Sequence, residues 1–286
     1  ESLKKDILKL GIIGLSEGNG HPYSWSAIFN GYDKFLIKKC GFDVIPKYLE
    51  EHSFPKDSIK EAKVTHIWTQ SKILSKKISE TCFIENVVDN YCDMLEDVDG
   101  ILLARDDSFN HYKFVKPFLE KGLPIYIDKP FALSVNQAKE ILNMRLFESQ
   151  IFTCSALKYA KEFLPSNNKL NKLGEIISLE GQISKDWDRY SIHIIEPILN
   201  LVPNKGNLLS YKKRSSSDSK ILELSFENVS KVSIATLGKN LINKNIIIKG
   251  NNGSLVLEFK DTFNAFKSAL KDFTQSIIKK ESKLDV

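Results

Sequence analysis

The chain has no Cys-x-x-Cys pair: its four cysteines, Cys40, Cys82, Cys92 and Cys154, stand far apart. That spacing removes the usual sequence signal for a zinc site or a dithiol redox centre, and no metal is expected. Three of the four sit in apolar contexts that suit buried thiols, and a reducing cytoplasm fits them best. No apolar run is long enough to span a bilayer, and the amino terminus has no signal-peptide apolar region, so neither membrane insertion nor secretion is expected. Basic residues are frequent, with a net charge of +5, but they are scattered. No basic cluster is interleaved with aromatic residues, which argues against a nucleic-acid partner and for a solvated surface.

What is present suggests a globular protein of two domains. The 286 residues are long for one core, and a hydrophobic content of 42% supports tight packing. An apolar stretch at residues 8–14 reads as a strand and runs into Gly14, Leu15, Ser16, Glu17, Gly18, Asn19 and Gly20. A glycine turn after a strand lets backbone amides approach a phosphate, and a helix starting near His21 and Pro22 would aim its positive end at the same place. The spacing departs from G-x-G-x-x-G, with Ser16 where the second glycine belongs. Residues 42–48 read as the next strand, and an acidic residue is sought at its end to bond an adenosine ribose. Lys47 and Tyr48 stand there, with Glu50 and Glu51 slightly later, so NAD and NADP remain open. Residues 63–70 alternate as a third strand. His66 and Trp68 read as packing residues, and Ile73 to Cys82 as the helix that follows.

The stretch that organises the chain is residues 122–142, GLPIYIDKPFALSVNQAKEIL. Ile125 to Ile127 form a short apolar run that stops abruptly at Asp128-Lys129-Pro130, and Ser134 caps a helix with Val135, Ala138, Ile141 and Leu142 on one face. Lys129 therefore stands at the carboxyl end of a strand, where open α/β sheets hold their ligands. Just upstream, residues 98–105 give another buried strand, followed by Asp106, His111 and an amphipathic helix through Phe114 and Phe118. Strand, loop, histidine, helix and then Asp-Lys-Pro resembles the Gfo/Idh/MocA family of NAD(P)-dependent oxidoreductases, whose signature here is Glu-Lys-Pro.

That resemblance implies an α/β chain with an amino-terminal Rossmann-type, doubly wound parallel sheet over residues 1–154. An α+β substrate-binding and oligomerisation domain with a largely antiparallel sheet follows over residues 155–286. The sequence texture agrees. Strand and helix alternate up to a last apolar strand at residues 151–157, which delivers Lys158 and Tyr159 to its end. Beyond it, residues 173–183, 221–226, 231–237, 245–249 and 254–259 alternate as strands without intervening helices. Asn251, Asn252 and Gly253 make a hairpin turn, residues 214–220 look like a mobile serine-rich loop, and Phe263 to Ile277 mark a final helix.

The resemblance further implies NAD or NADP as cofactor, held by Gly14, Leu15, Ser16, Gly18, Asn19, Gly20, His21, Asp106, His111, Asp128 and Lys129. Lys129 and His193 are the implied catalytic pair, with His193 on a helix after Asp186. Relatives carry an aspartate four residues before this histidine, where the present chain has Arg189. Lys158, Tyr159, Trp187, Arg189 and Tyr190 are expected beside the substrate with Lys129 and His193. Histidine needs little adjustment to move a proton at neutral pH, so His193 is assigned as acid/base and Lys129 as the group polarising the substrate oxygen. The roles can be exchanged. A sugar-like small molecule is the expected substrate, in a cytoplasmic enzyme of carbohydrate metabolism that forms homo-oligomers through the antiparallel sheet. The alternative is a protein that keeps the fold and senses a dinucleotide or sugar without turnover.

Overall fold

The computed structural model describes residues 7–240 and 244–280. The chain divides into two compact units, residues 1–154 with 267–286, and residues 155–266.

The first unit is a parallel sheet covered by helices. Strand β1 (Leu8–Ile13) leads to α1 (His21–Asn30). After α2 (Val44–Glu50) come β2 (Ala62–Trp68), α3 (Lys72–Cys82) and β3 (Asn86–Val87). The second half adds β4 (Gly100–Leu103), α4 (His111–Lys121), β5 (Ile125–Ile127), α5 (Val135–Asn143) and β6 (Ile151–Phe152). The six strands lie in the order β3-β2-β1-β4-β5-β6, all parallel. The order reverses between β1 and β4, and at such a switch point the loops leaving the two strands part and open a crevice. Leu10, Ile12, Ile13, Ile101, Leu103, Ile125 and Ile127 are fully buried, as strands covered on both faces require. Phe114, Val115, Phe118 and Leu119 give α4 the apolar stripe that packs on β1, β4 and β5. Each such side chain contributes about 1.5–3 kcal/mol by leaving water, so Phe118→Ala would be the most damaging single change on that face.

Two strand expectations fail here. Residues 42–48 lie across the start of α2, not in a strand. Ile45 and Leu49 are its buried positions, one helical turn apart, while Val44 is exposed, and Pro46 sits in the first turn where its missing N–H is tolerated. Residues 63–70 accordingly supply the second strand of the sheet, not the third. Residues 151–157 keep strand structure only at Ile151–Phe152. Ala156–Tyr159 forms a short 3-10 turn whose first amides are capped by Ser155, so Lys158 and Tyr159 do not end a strand.

The second unit contains α6 (Asn167–Asn171), β7 (Ile176–Ile183), α7 (Trp187–Tyr190), α8 (Ile192–Leu201), β8 (Leu208–Ser215) and β9 (Lys220–Phe226). It continues with β10 (Lys231–Thr236), β11 (Asn245–Gly250) and β12 (Gly253–Glu258). The sheet order is β12-β11-β7-β10-β9-β8, antiparallel except where β10 runs parallel to β7. Alternate residues Leu179, Ile183, Val232, Ile234, Ile246 and Ile248 form the inner face under Ile194 and Ile198 of α8. Gly181 makes that approach possible, because a Cβ there would stand 2.2 Å from Ile194 Cγ2. Strand β8 has no counterpart among the expected strands: every one of its residues is exposed, so no alternation marks it. Residues 214–220, expected as a mobile loop, close β8 onto β9 in a tight hairpin with Ser216 N–H donating to Ser219 O at 2.9 Å.

Helix α9 (Thr262–Lys279) crosses the division between the units. Its later half belongs to the first unit, where Phe273 packs 5.7 Å from the rings of Tyr126 and Phe152. The assignment of all residues beyond 154 to the second domain is thereby corrected at its carboxyl end.

Candidate active site

Asp128 leaves β5 still in register, its N–H donating to Leu103 O at 3.1 Å. Its side chain is buried and fully partnered. Oδ1 accepts from Lys129 N–H at 2.8 Å, while Oδ2 accepts from Asn19 Nδ2 at 2.8 Å and lies 2.5 Å from His21 Nδ1. Burial pushes this carboxyl up, but the His21 ring and the other donors outweigh it and hold the group below the usual carboxylate range. Lys129 is 6% exposed, and its Nζ stands 3.7 Å from Asp106 Oδ2. Asp106 in turn exchanges two hydrogen bonds with Ser16, accepting from its hydroxyl at 2.6 Å and donating N–H to it at 3.0 Å. The carboxyl ends of β1, β4 and β5 are therefore stitched together through Ser16, Asn19, His21, Asp106, Asp128 and Lys129.

His111 stands apart from this network. It is wholly buried, with Nε2 2.8 Å from Arg105 O and Nδ1 3.1 Å from Phe131 O, so its ring ties the loop after β4 to the loop after β5.

In the loop after β1, Gly14 is demanded by packing, since a Cβ there would fall 2.3 Å from Pro22 Cγ. Most amides around the start of α1 are engaged. His21 N–H donates to Asn19 Oδ1 at 2.8 Å, Pro22 has none, and the N–H groups of Tyr23 and Ser24 both turn back to Gly20 O. The first turn of α1 thus offers an anion little. The amides of Ser16, Glu17 and Gly18, by contrast, carry no hydrogen bond within the chain among the described residues. Gly18 has φ +76° and nothing within 4 Å of where a Cβ would stand. Consecutive unengaged amides on such a turn make an anion-binding concavity, and they fit a diphosphate better than the helix end does.

Two residues of this region were not singled out from the sequence. Gln70, just past β2, takes Leu15 N–H at 3.2 Å and gives to Leu15 O at 2.7 Å. Arg105, just past β4, reaches Gln70 Oε1 at 3.0 Å and clamps Asp107 at 2.9 and 2.6 Å. Burial raises the Asp107 carboxyl, but the guanidinium more than compensates and holds it low. With β2 now located, the acid sought for an adenosine ribose is replaced by neutral Thr69 and Gln70, and Lys47 lies instead on α2.

In the second unit, Asp186 caps α7 by accepting from Arg189 N–H at 2.9 Å, and the Arg189 guanidinium folds back to 3.6 Å from the same carboxylate. Tyr190 accepts from Lys185 Nζ at 2.9 Å and tilts against the His193 ring at 5.8 Å. Trp187 is half-buried against the sheet core. His193 Nδ1 lies 2.6 Å from Ser155 Oγ, and Ser155 N–H donates to Glu196 Oε2 at 2.5 Å. The structure thus gathers Ser155, Tyr190, His193 and Glu196, with Lys158 and Tyr159 on the turn that Ser155 caps. Arg189 is engaged on its own short helix.

A doubly wound parallel sheet of the Rossmann type, with a glycine turn at its switch point, thus makes up the first unit, and a largely antiparallel sheet the second. Residues 40–153 match the Gfo/Idh/MocA family model, an oxidoreductase family with the NAD-binding Rossmann fold. The match takes in β2 to β6 and the Asp128-Lys129-Pro130 corner, whereas residues 14–20 and His193 fall outside it. No curated protein matches the chain. Among solved structures, apo scyllo-inositol dehydrogenase from Lactobacillus casei is similar at 12% identity and TM-score 0.72, covering 99% of this chain and 92% of that one. Myo-inositol 2-dehydrogenase from Lactobacillus plantarum follows at 13% and 0.73, covering 98% and 92%. Biliverdin reductase from Synechocystis sp. PCC 6803, in complex with biliverdin and NADP+, is similar at 12% and 0.68, covering 97% and 93%. At these identities the likeness is one of fold. Among the described residues no helix is long and apolar enough to cross a membrane, and no cluster of His, Cys, Asp or Glu could hold a metal ion.

Proposed function

We propose that the chain is an NAD(P)-dependent dehydrogenase or reductase acting on a hydroxyl or keto carbon of a sugar, cyclitol or nucleotide sugar. The observation that carries this reading is the buried Lys129 beside Asp106 at the carboxyl edge of the sheet, within the segment that matches the oxidoreductase family. A lysine is rarely so enclosed without a task. The inositol dehydrogenases among the similar structures support the substrate class, and the biliverdin reductase shows that NADP+ is bound by one such fold.

The nicotinamide supplies the hydride chemistry when bound. The chain's own part is to hold the diphosphate on the amides of Ser16, Glu17 and Gly18 and to attend the reacting oxygen with Lys129 and His193. Lys158, Tyr159, Trp187 and Tyr190 are proposed to contact the substrate, where aromatic faces suit sugar rings. Asp106, Asp128, Asn19 and His21 act by fixing the loop and Lys129. Pairing of two copies through the open face of the second sheet belongs to the same proposal. On that face Val256 opposes Ile247 beside the Lys249–Glu180 and Arg214–Glu223 ion pairs, each at 2.8 Å.

The test is a fluorescence titration with NADH and NADPH, followed by turnover on a panel of cyclitols and sugars. Saturable binding of one dinucleotide and oxidation of one polyol is expected, and binding of neither would sink the proposal. One observation favours a non-catalytic sensor: Arg189 replaces the aspartate of the relatives and is itself held by Asp186. Dinucleotide binding without turnover on any substrate would select that reading.

A further inference from the structure

Thr69, Gln70, Ser71 and Lys72 follow β2 without a carboxylate among them. At this point of a doubly wound sheet an acid takes the ribose hydroxyls of NAD, whereas a nearby arginine takes the 2′-phosphate of NADP. Thr69 is engaged within the chain, its hydroxyl donating to Ser71 O at 2.8 Å and lying 2.9 Å from Ser75 Oγ. Gln70 is engaged as well. Its Oε1 accepts from Leu15 N–H at 3.2 Å and from Arg105 Nη1 at 3.0 Å, which uses both lone pairs of an amide oxygen, and its Nε2 donates to Leu15 O at 2.7 Å. A plain ribose would bring hydroxyl hydrogens to a strand end where the Thr69 and Gln70 acceptors are already in use. Arg105 offers the opposite chemistry. Its guanidinium is 7% exposed, lies 4.9 Å from the centre of the Phe114 ring, and is anchored on Asp107 by Nε at 2.9 Å and Nη2 at 2.6 Å. The edge turned toward position 70 is Nη1.

We propose that the chain prefers NADP(H) to NAD(H), with Arg105 as the specificity-determining residue that receives the 2′-phosphate through Nη1. The proposal rests on the dehydrogenase reading and adds which dinucleotide that site takes. A phosphate oxygen arriving at position 70 can take the Nη1 hydrogen from Gln70 Oε1 and leave that oxygen its bond from Leu15 N–H. The exchange strands no buried group, and it replaces a neutral acceptor by a charged one, which makes the stronger bond. Asp107 holds the other edge of the guanidinium throughout, so the arginine is already oriented before a ligand arrives. A carboxylate at position 70 would reverse the preference. It would claim Nη1 for itself, repel a phosphate and accept from a ribose hydroxyl.

The preference can be read from binding alone. Titrations of the full chain followed by nicotinamide fluorescence should give NADPH an affinity about 10- to 100-fold above that of NADH, the usual effect of a hydrogen bond to a charged group. Adenosine 2′,5′-bisphosphate should displace NADPH at lower concentration than 5′-AMP does, and added salt should narrow the gap between the two dinucleotides. Arg105→Gln should weaken NADPH by about 10- to 100-fold with NADH within about threefold, and Gln70→Glu should turn the preference toward NADH. A wild-type chain that binds NADH as tightly as NADPH overturns the proposal, as does an Arg105→Gln protein that keeps the NADPH preference or weakens both dinucleotides alike. Should Arg105→Gln fail to fold, Gln70→Glu decides, and an unaltered preference in that variant overturns the proposal. A preference for NADH leaves the dehydrogenase reading standing, whereas a chain that binds neither dinucleotide overturns that reading and this proposal with it.

Discussion

The surroundings of His111 and His193 differ in one respect that decides what each ring can do. His111, in the first unit, has both nitrogens against backbone carbonyls and no exposure to water. Carbonyls only accept, so this ring serves as a brace between two loops. His193, in the second unit, is half-buried and meets a serine hydroxyl, which can give or accept. The lesson is that a histidine's function follows from the chemistry of its partner more than from its place in a motif. His21 makes a third case, because its partner is a buried carboxylate.

The largest expected effect concerns Lys129, the buried group that stands outside this contrast between histidines. Lys129→Ala should reduce turnover by about 10²- to 10⁴-fold, the usual cost of losing an acid–base group, with dinucleotide affinity within a few-fold. A variant with normal turnover on an identified substrate would remove Lys129 from the mechanism. His193→Ala should lower turnover by about 10²- to 10³-fold, as loss of a group at the reacting oxygen does, with a stability loss of about 1 kcal/mol from the broken Ser155 contact. His111→Ala should behave the other way round. A backbone carbonyl loses its donor and the ring leaves a cavity, so urea unfolding should show a loss of about 2–4 kcal/mol, with little change in turnover per folded molecule. Equal effects of the two histidine variants on stability would dissolve the comparison.

The smallest effect concerns Asp128 and its partner His21. The carboxyl is held below its ordinary value in the folded chain, so its contribution to stability is full above the unfolded value of about 4 and is lost as pH falls through the folded value. Unfolding free energy measured from pH 6 downward should decline in that acid window, and Asp128→Asn should flatten the decline. An unchanged acid limb in the variant would show that other carboxylates govern it.

The parts of this architecture legible from sequence are those where one residue type admits one conformation. Pro124 and Pro130 bracket a strand that can only be short, and Ser134 caps the following helix by accepting from Gln137 N–H at 3.2 Å. Asn251 and Asn252 form the two-residue turn between β11 and β12. The misreadings have physical causes. Residues 42–48 contain too few apolar positions to separate a period of two from one of 3.6, and placing a strand there moved the search for a ribose acid to the wrong residues. Strand β8 faces water on every residue and leaves no hydrophobic trace. Gln70 and Ser155 work through hydrogen bonds to residues 55 and 38 positions away, which no local pattern can announce.

The course of α9 has a consequence for the order in which the chain can assemble. Residues 155–266 form a continuous unit, but the parallel sheet is completed by Leu270 and Phe273, which are wholly buried beyond it in sequence. A chain emerging from the ribosome exposes the rings of Tyr126 and Phe152 until some 120 further residues have followed, since the loop to Phe273 must close last. The later unit has all its residues in hand sooner than the earlier one does. Synthesis from the amino end thus starts the dinucleotide-type sheet first and finishes it last.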